Sequence, residues 1–131
     1  PLLLQKCQAI DSSKILDRHE ETLLGFGAMT LAGLIADSGL NAGDPLHNQI
    51  LQWIIESTKS PNINVAGHSV YALGGLGRES SAARERLCEI ANSDLRGDEH
   101  KDVSLRAVAL RLVRRIDPAL AATFVDAPAF D

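Results

Sequence analysis

The sequence predicts an all-α fold, a short right-handed α–α superhelix (solenoid) of about three helical hairpins and roughly seven helices. An apolar helical segment recurs at intervals of 41 and 40 residues, in the copies 24–35, 65–76 and 105–116. A period of this length is typical of stacked helical hairpins, because one hairpin cannot bury its apolar stripe alone. No segment alternates apolar and polar residues for long enough to predict a strand.

The length of 131 residues fits one domain, which we place at residues 1–127 with a frayed tail at 128–131. Hydrophobic residues make up 45% of the chain but aromatic residues only 4%. The core is therefore expected to consist of Leu, Ile, Val and Ala, which suits closely packed helices.

The elements follow from periodicity and capping signals. Residues 2–10 predict a short amphipathic helix, and Glu20 and Glu21 favour the positive end of the helix that carries the first copy. Each of the next helix starts is marked by a capping side chain, in three cases directly before a proline at the first helical position. These starts are Asp44-Pro45, Ser60-Pro61 or Asn62, Ser80 or Ser81, and Asp117-Pro118. A helix from about 101 to 116 carries the third copy, and 119–125 predicts a last short helix.

The copies resemble HEAT-type (armadillo-like) repeats, especially the short bacterial variety also found in phycobilisome lyases. In that family, the second helix of each repeat has roughly the sequence Asp-x-x-Val-Arg-x-x-Ala-x-x-Ala-Leu-Gly-x-Leu-Gly. The matching residues are Val65, Ser69, Ala72, Leu73, Gly74, Leu76 and Gly77 in the middle copy, and Asp102, Leu105, Arg106 and Ala109 in the third. The resemblance spans about residues 20–118 and implies a helical-repeat fold.

The chain departs from this pattern at the charged positions. Where the family has arginine the copies carry Gly25, Ala66 and Arg106, and at the acidic position they carry Glu21, Asn62 and Asp102. The Asp–Arg ladder that the resemblance implies is therefore mostly missing, and apolar packing is expected to hold the hairpins together.

Net charge, hydropathy and cysteine content argue against several classes of function. A net charge of −4 argues against a general nucleic-acid binder, which needs surplus Lys and Arg. No apolar run approaches 18 residues, so no membrane span is predicted. Cys7 and Cys88 do not form a disulfide framework, and we expect buried free thiols in a reducing, cytoplasmic setting.

Two groups of acidic residues around a histidine have the residue types of metal ligands. They are His19 with Asp17, Glu20 and Glu21, and His100 with Asp98, Glu99 and Asp102. Neither group has the His-Glu-x-x-His spacing that places two imidazoles on one helical face, and acidic residues are expected at a helix start anyway. We therefore predict no metal site and no cofactor.

No catalytic residue is predicted either. Gly25, Gly27 and Gly33 resemble a nucleotide-binding loop only superficially, because they lie inside a helical repeat and no strand precedes them. These glycines are better explained by close helix packing. His68 and Ser69 are adjacent in a helix, so their side chains point about 100° apart and do not pair.

Shifting by the repeat offsets predicts rows of equivalent side chains on the inner, concave face of the solenoid. One row is Thr30, Tyr71 and Arg111, and the next is Gly27, His68 and Val108. Tyr71 is either an exposed anchor of the kind interfaces use or half-buried with its hydroxyl at the surface.

The last long helix is locally basic. Its cations are Lys101, Arg106, Arg111, Arg114 and Arg115. Cations near a helix C-terminus complement the helix dipole, which explains most of them. Arg111 and Arg115 lie one turn apart, however, and the functional interpretation is a dock for an acidic segment of a partner.

These patterns predict a non-catalytic scaffold that binds a protein or peptide through its concave face, with Thr30, His68, Tyr71, Arg111 and Arg115 as binding residues. One alternative is an enzyme or enzyme accessory of the bilin-lyase or helical-repeat DNA glycosylase type. Another is a fragment of a longer solenoid, favoured by the start at Pro1 without a methionine. The partner and the oligomeric state are not predicted.

Overall fold

A computed structural model describes residues 2–12, 14–38, 43–92 and 99–124, without the side chains of 38 and 99–104. Within these ranges there are seven helices and no strand, which confirms the all-α prediction. The helices are α1 (Leu2–Gln8), α2 (Arg18–Ser38), α3 (Pro45–Ser57), α4 (Ile63–Leu76), α5 (Ser81–Ala91), α6 (Glu99–Ile116) and α7 (Pro118–Ala121). Helix α7 ends earlier than predicted, and the predicted tail at 128–131 lies outside the described residues.

The two Asp-Pro helix starts are confirmed. The Asp44 carboxylate accepts a hydrogen bond from the Leu46 amide at 2.8 Å, and Pro45 occupies the first helical turn. Asp117 caps α7 in the same way, accepting from the Leu120 amide at 3.1 Å. Each cap satisfies a backbone donor that has no partner inside the helix.

Asn62, rather than Ser60, caps the central helix α4. The Asn62 side-chain oxygen accepts from the amides of Asn64 at 3.0 Å and Val65 at 3.1 Å. Ser60 instead accepts from the Asn62 amide and donates to the carbonyl of Ser12, which ties the start of α4 to the chain after α1. The helix therefore begins two residues after the Ser-Pro pair.

Helix α4 is the centre of the packing. It contacts α2 and α6 on its two sides, and α3 and α5 also pack against it, so α2, α4 and α6 follow one another in a series. Helix α1 packs on α2 and α7 packs on α6, at the two ends of that series. The core is aliphatic, as the composition predicts, with fully buried Leu31, Leu73 and Leu110 contributed by the three helices of the series.

Close helix packing explains two of the three glycines of the first copy. A Cβ at Gly27 would lie 2.6 Å from the Cys7 sulfur, and one at Gly25 would lie 3.1 Å from a ring nitrogen of His68. A Cβ at Gly33 would meet nothing within 4 Å. The packing explanation is therefore confirmed at Gly25 and Gly27, whereas the space around Gly33 does not require glycine.

The acidic position of the first copy links α2 to α4. The Glu21 carboxylate accepts a hydrogen bond from the side-chain amide of Asn62 at 3.1 Å and another from the side-chain amide of Asn64. These two donors lower the pKa of Glu21, because they stabilise the charged carboxylate. Hydrogen bonds from two side-chain amides to one carboxylate thus join these two copies, where the HEAT-type pattern would have an Asp–Arg ladder. We call these hydrogen bonds the α2–α4 link.

Candidate binding face

Tyr71 lies on the side of α4 that no described helix covers. Because four helices pack around α4, its exposed residues Asn64, Tyr71 and Gly75 must share the remaining side, as their spacing of seven and four residues requires. Tyr71 is 48% exposed, whereas Leu73, about half a turn away, is fully buried. Its ring is therefore turned away from the core and is accessible to a partner.

Arg111 and Arg115 lie on the corresponding side of α6. Both are exposed and one turn apart, whereas Val113 between them is fully buried. Leu112 packs on α4, where a Cβ at Gly74 would lie 2.6 Å from its methyl group. The two guanidinium groups consequently flank the α4–α6 contact on the side away from the core.

His68 connects α4 to α2 at the edge of this surface. Its Nδ1 lies 2.7 Å from the carbonyl oxygen of Asn64. A carbonyl only accepts hydrogen bonds, so Nδ1 carries the proton. The ring lies beside Gly25, and its centroid is 5.8 Å from that of Phe26, with the planes tilted by 54°. His68 is thereby held in place between the two helices, one turn before Tyr71.

Helix α2 contributes apolar side chains to the same side. Met29 is 43% exposed and stands two residues before the buried Leu31, as Tyr71 stands two residues before Leu73. Phe26 is 62% exposed, and its ring reaches His68. We use the name front face for the surface formed by Phe26, Met29, His68, Tyr71, Arg111 and Arg115.

Thr30 lies at a groove on α2. It is exposed and lines an open groove of about 270 Å³ together with Leu3, Leu23 and Gly27. Met29 stands two residues before a buried leucine, as Tyr71 does, and is therefore the α2 residue that we align with Tyr71. A place for Thr30 in line with Tyr71 stays a prediction.

The sequence pattern does not single out Phe26 and Met29. Alignment of the copies on their first residues gives the 41-residue offset. Alignment on the buried leucines, Leu31 and Leu73, gives 42 and pairs Met29 with Tyr71. Which leucine is buried is a tertiary property, so the sequence alone does not carry this signal.

The other basic residues of α6 divide into different roles. The Arg106 side chain donates from Nε to the carbonyl oxygen of Ala91 at 3.0 Å, which ties α6 to the end of α5. Arg114 is partly buried and also has an interaction partner. Lys101 lies outside the described side chains. Arg111 and Arg115 are therefore the two α6 arginines that are open to solvent.

The acids around His19 serve as helix caps. The Asp17 carboxylate accepts from the Glu20 amide at 2.8 Å, and Glu20 accepts from the Asp17 amide at 3.1 Å, a reciprocal capping box at the start of α2. Over the described residues, no three His, Cys, Asp or Glu side chains come together as a metal site would require. The group around His100 lies outside the described side chains.

Neither cysteine has the environment of an activated nucleophile. Cys7 is fully buried, and burial raises the pKa of its thiol. Cys88 is only partly buried, so the expected buried thiol is confirmed for Cys7 alone; partial burial also raises the pKa of Cys88. A raised pKa disfavours the thiolate, which is the reactive form.

No family model, characterised protein or solved structure matches this chain. The resemblance to HEAT-type repeats therefore rests on the repeat residues alone and stays a prediction. In the part of the chain that the structure describes, no helix combines the length and the apolar character that a membrane span requires.

Proposed function

We propose that this chain is a non-catalytic scaffold of the HEAT-like, armadillo-like type that binds a protein or peptide through its front face. In this proposal the hairpins follow a superhelical path, and the front face is its concave side. The observation that carries the proposal is the exposure of three large apolar side chains, Phe26, Met29 and Tyr71, on two neighbouring helices. Grouped exposed apolar residues on a folded domain typically mark an interaction site.

The chemistry of the front face favours a partner segment with an apolar side chain next to acidic residues. Tyr71 and Phe26 offer large rigid surfaces, and aromatic residues and arginine are the commonest energetic anchors of interfaces. Arg111 and Arg115 stand on the next helix, where they would pair with carboxylates. The fully buried free thiol of Cys7 fits a reducing compartment such as the cytoplasm.

A display library of random peptides, selected on the full chain, tests this proposal. We expect the selected peptides to contain acidic residues beside an apolar one. Tyr71→Ala should weaken their binding by about 1 kcal/mol or more, because it removes the central anchor. Arg111→Glu should weaken it further, and high salt should reproduce part of that loss.

The matched control is Lys6→Glu, the same change of charge at an exposed position on α1. It should leave peptide affinity unchanged, and all three variants should keep the wild-type melting temperature. A library that yields no binders, or binders indifferent to both Tyr71→Ala and Arg111→Glu, would contradict the proposal.

A further inference from the structure

Helix α2 carries a mostly apolar stripe on its outer side, which meets the front face at Phe26, whose ring reaches His68 of α4. We call it the outer stripe; its residues are Leu23, Phe26, Thr30 and Leu34. They recur at three- and four-residue spacing, so they share one side of the helix. Phe26 is 62% exposed and Leu34 is 41% exposed, so the stripe presents two large apolar side chains to solvent on one side of the helix.

The same stripe is covered in the next helix of the series. Forty-two residues further on, the equivalent residues of α4 are Val65, His68, Ala72 and Leu76. His68 rests on Gly25 of α2, and the three apolar members are at most 5% exposed. On α4, therefore, this stripe packs against α2, the previous helix of the series.

Helix α6 repeats the arrangement. Forty residues beyond the α4 stripe stand Leu105, Val108, Leu112 and Ile116. Leu112 fits against Gly74 of α4, and Ile116 fits against Gly77. In both junctions a large side chain of the later helix sits on a glycine of the earlier helix, which lets the two backbones approach closely.

On the outer side of α2, the short α1 is the only helix nearby among those that the structure describes. Its seven residues reach Gly27 through Cys7 and leave an open groove of about 270 Å³ between Leu3 and the outer stripe. Two large apolar residues of the outer stripe, Phe26 and Leu34, are thus left in contact with solvent, while Leu23 is half-buried. No described helix packs on the outer stripe in the way that α2 packs on α4 and α4 packs on α6.

We infer that the outer stripe docks an amphipathic α-helix of a partner protein, one that presents glycine and alanine to Phe26 and Leu34. Continuity with the two internal junctions carries this inference, since each pairs the same stripe with small residues of a preceding helix. A second copy of the chain fits less well, because its own outer stripe would oppose large residues to large residues. This surface is separate from the part of the front face formed by Tyr71 and Arg111.

The probe is a synthetic, hydrocarbon-stapled helical peptide built on a soluble Glu/Lys background. Its docking stripe copies Gly25 of α2, which lies against His68 of α4, and the buried residues Ala28, Ala32 and Ile35, which follow it at three- and four-residue spacing. A second peptide carries glutamine at the same four positions. Fluorescence anisotropy with the full chain should show saturable binding of the first peptide and none of the second.

Thr30→Arg tests the surface without removing a buried group, because Thr30 is exposed in the middle of the stripe. We expect it to weaken peptide binding by about tenfold or more, since a charged side chain would stand in the apolar contact. Ala36→Arg is the matched control, an exposed alanine of α2 outside the stripe. It should leave binding unchanged, as should Tyr71→Ala, which tests the front face instead.

Three results would overturn this inference: absence of binding at the highest soluble concentration, equal binding of the glutamine peptide, or equal losses in Thr30→Arg and Ala36→Arg. Self-association of the chain that Thr30→Arg abolishes, measured by analytical ultracentrifugation, would also overturn it by assigning the surface to a second copy. The proposal for the front face is tested separately. It would be contradicted if the library peptides bound Tyr71→Ala and Arg111→Glu as well as they bind the wild type.

Discussion

The two ends of the helix series are built differently. At one end, α7 packs on α6, where Leu110 is fully buried and Ala121 of α7 is 4% exposed. At the other end, α1 covers only part of α2 and leaves Phe26 and Leu34 exposed. Helices α2 and α6 both carry apolar stripes. The presence of a covering helix, rather than the stripe itself, therefore decides which apolar residues are exposed.

This difference explains why a repeat pattern alone does not locate a binding surface. Terminal units of stacked repeats usually present a polar outer face, which keeps them soluble. The described α2 end does not follow that rule. An apolar end that remains open is therefore either a contact surface or a destabilising feature, and substitutions at matched positions distinguish the two.

The largest expected effect separates the centre of the series from its open end. Leu73→Ala should lower the free energy of unfolding by about 2–5 kcal/mol, because Leu73 is fully buried between helices. Leu34→Ala removes the same atoms from the outer stripe and should cost less than about 1 kcal/mol. Urea unfolding followed by circular dichroism measures both. Equal losses would mean that the outer stripe is as buried in solution as the core.

A second pair compares two glycines of α2. Gly27→Ala should destabilise the protein by about 1–3 kcal/mol, because the new methyl group would press on the enclosed Cys7. Gly33→Ala should stabilise it by about 0.5–1 kcal/mol, because the added methyl group meets nothing and alanine favours the helix. Thermal melts of the two variants should therefore shift in opposite directions. Stabilisation by Gly27→Ala would contradict the close α1–α2 approach, and destabilisation by Gly33→Ala would contradict the open space at Gly33.

The smallest effect concerns the α2–α4 link. Because hydrogen bonds from Asn62 and Asn64 lower the pKa of Glu21 on folding, its ionised form stabilises the protein above the ordinary pKa of 4.5. This contribution is lost as the pH falls through the lowered value. Glu21→Gln should therefore reduce the melting temperature at neutral pH and match the wild type in acid.

Glu85→Gln, at an exposed glutamate of α5, controls for the loss of a carboxylate in general. Its melting temperature should follow the wild type across the same pH range. A Glu21→Gln difference that stays constant from neutral to acidic pH would show that the carboxylate's charge does not support the link.

The local elements were predictable because their causes are local. Asp44 and Asp117 cap helices whose first residue is proline, and that geometry is set within three residues. Asn62 was one of two candidates for the start of α4, and only the hydrogen bonds identify it as the cap. The aliphatic period likewise predicted Leu73 as a core residue, since an apolar stripe must be buried somewhere.

By itself, therefore, the sequence determined the all-α class, the two Asp-Pro helix starts and the apolar side of the central helix. The tertiary structure decided the contacts between helices, which bring Phe26 to His68 and place Thr30 at the groove beside α1. It also decided that Arg106 ties α6 to α5 while Arg111 stays open. The physical reason is that one residue of shift turns a side chain by about 100°, and this shift is set by which side chain meets which glycine across the helix contact.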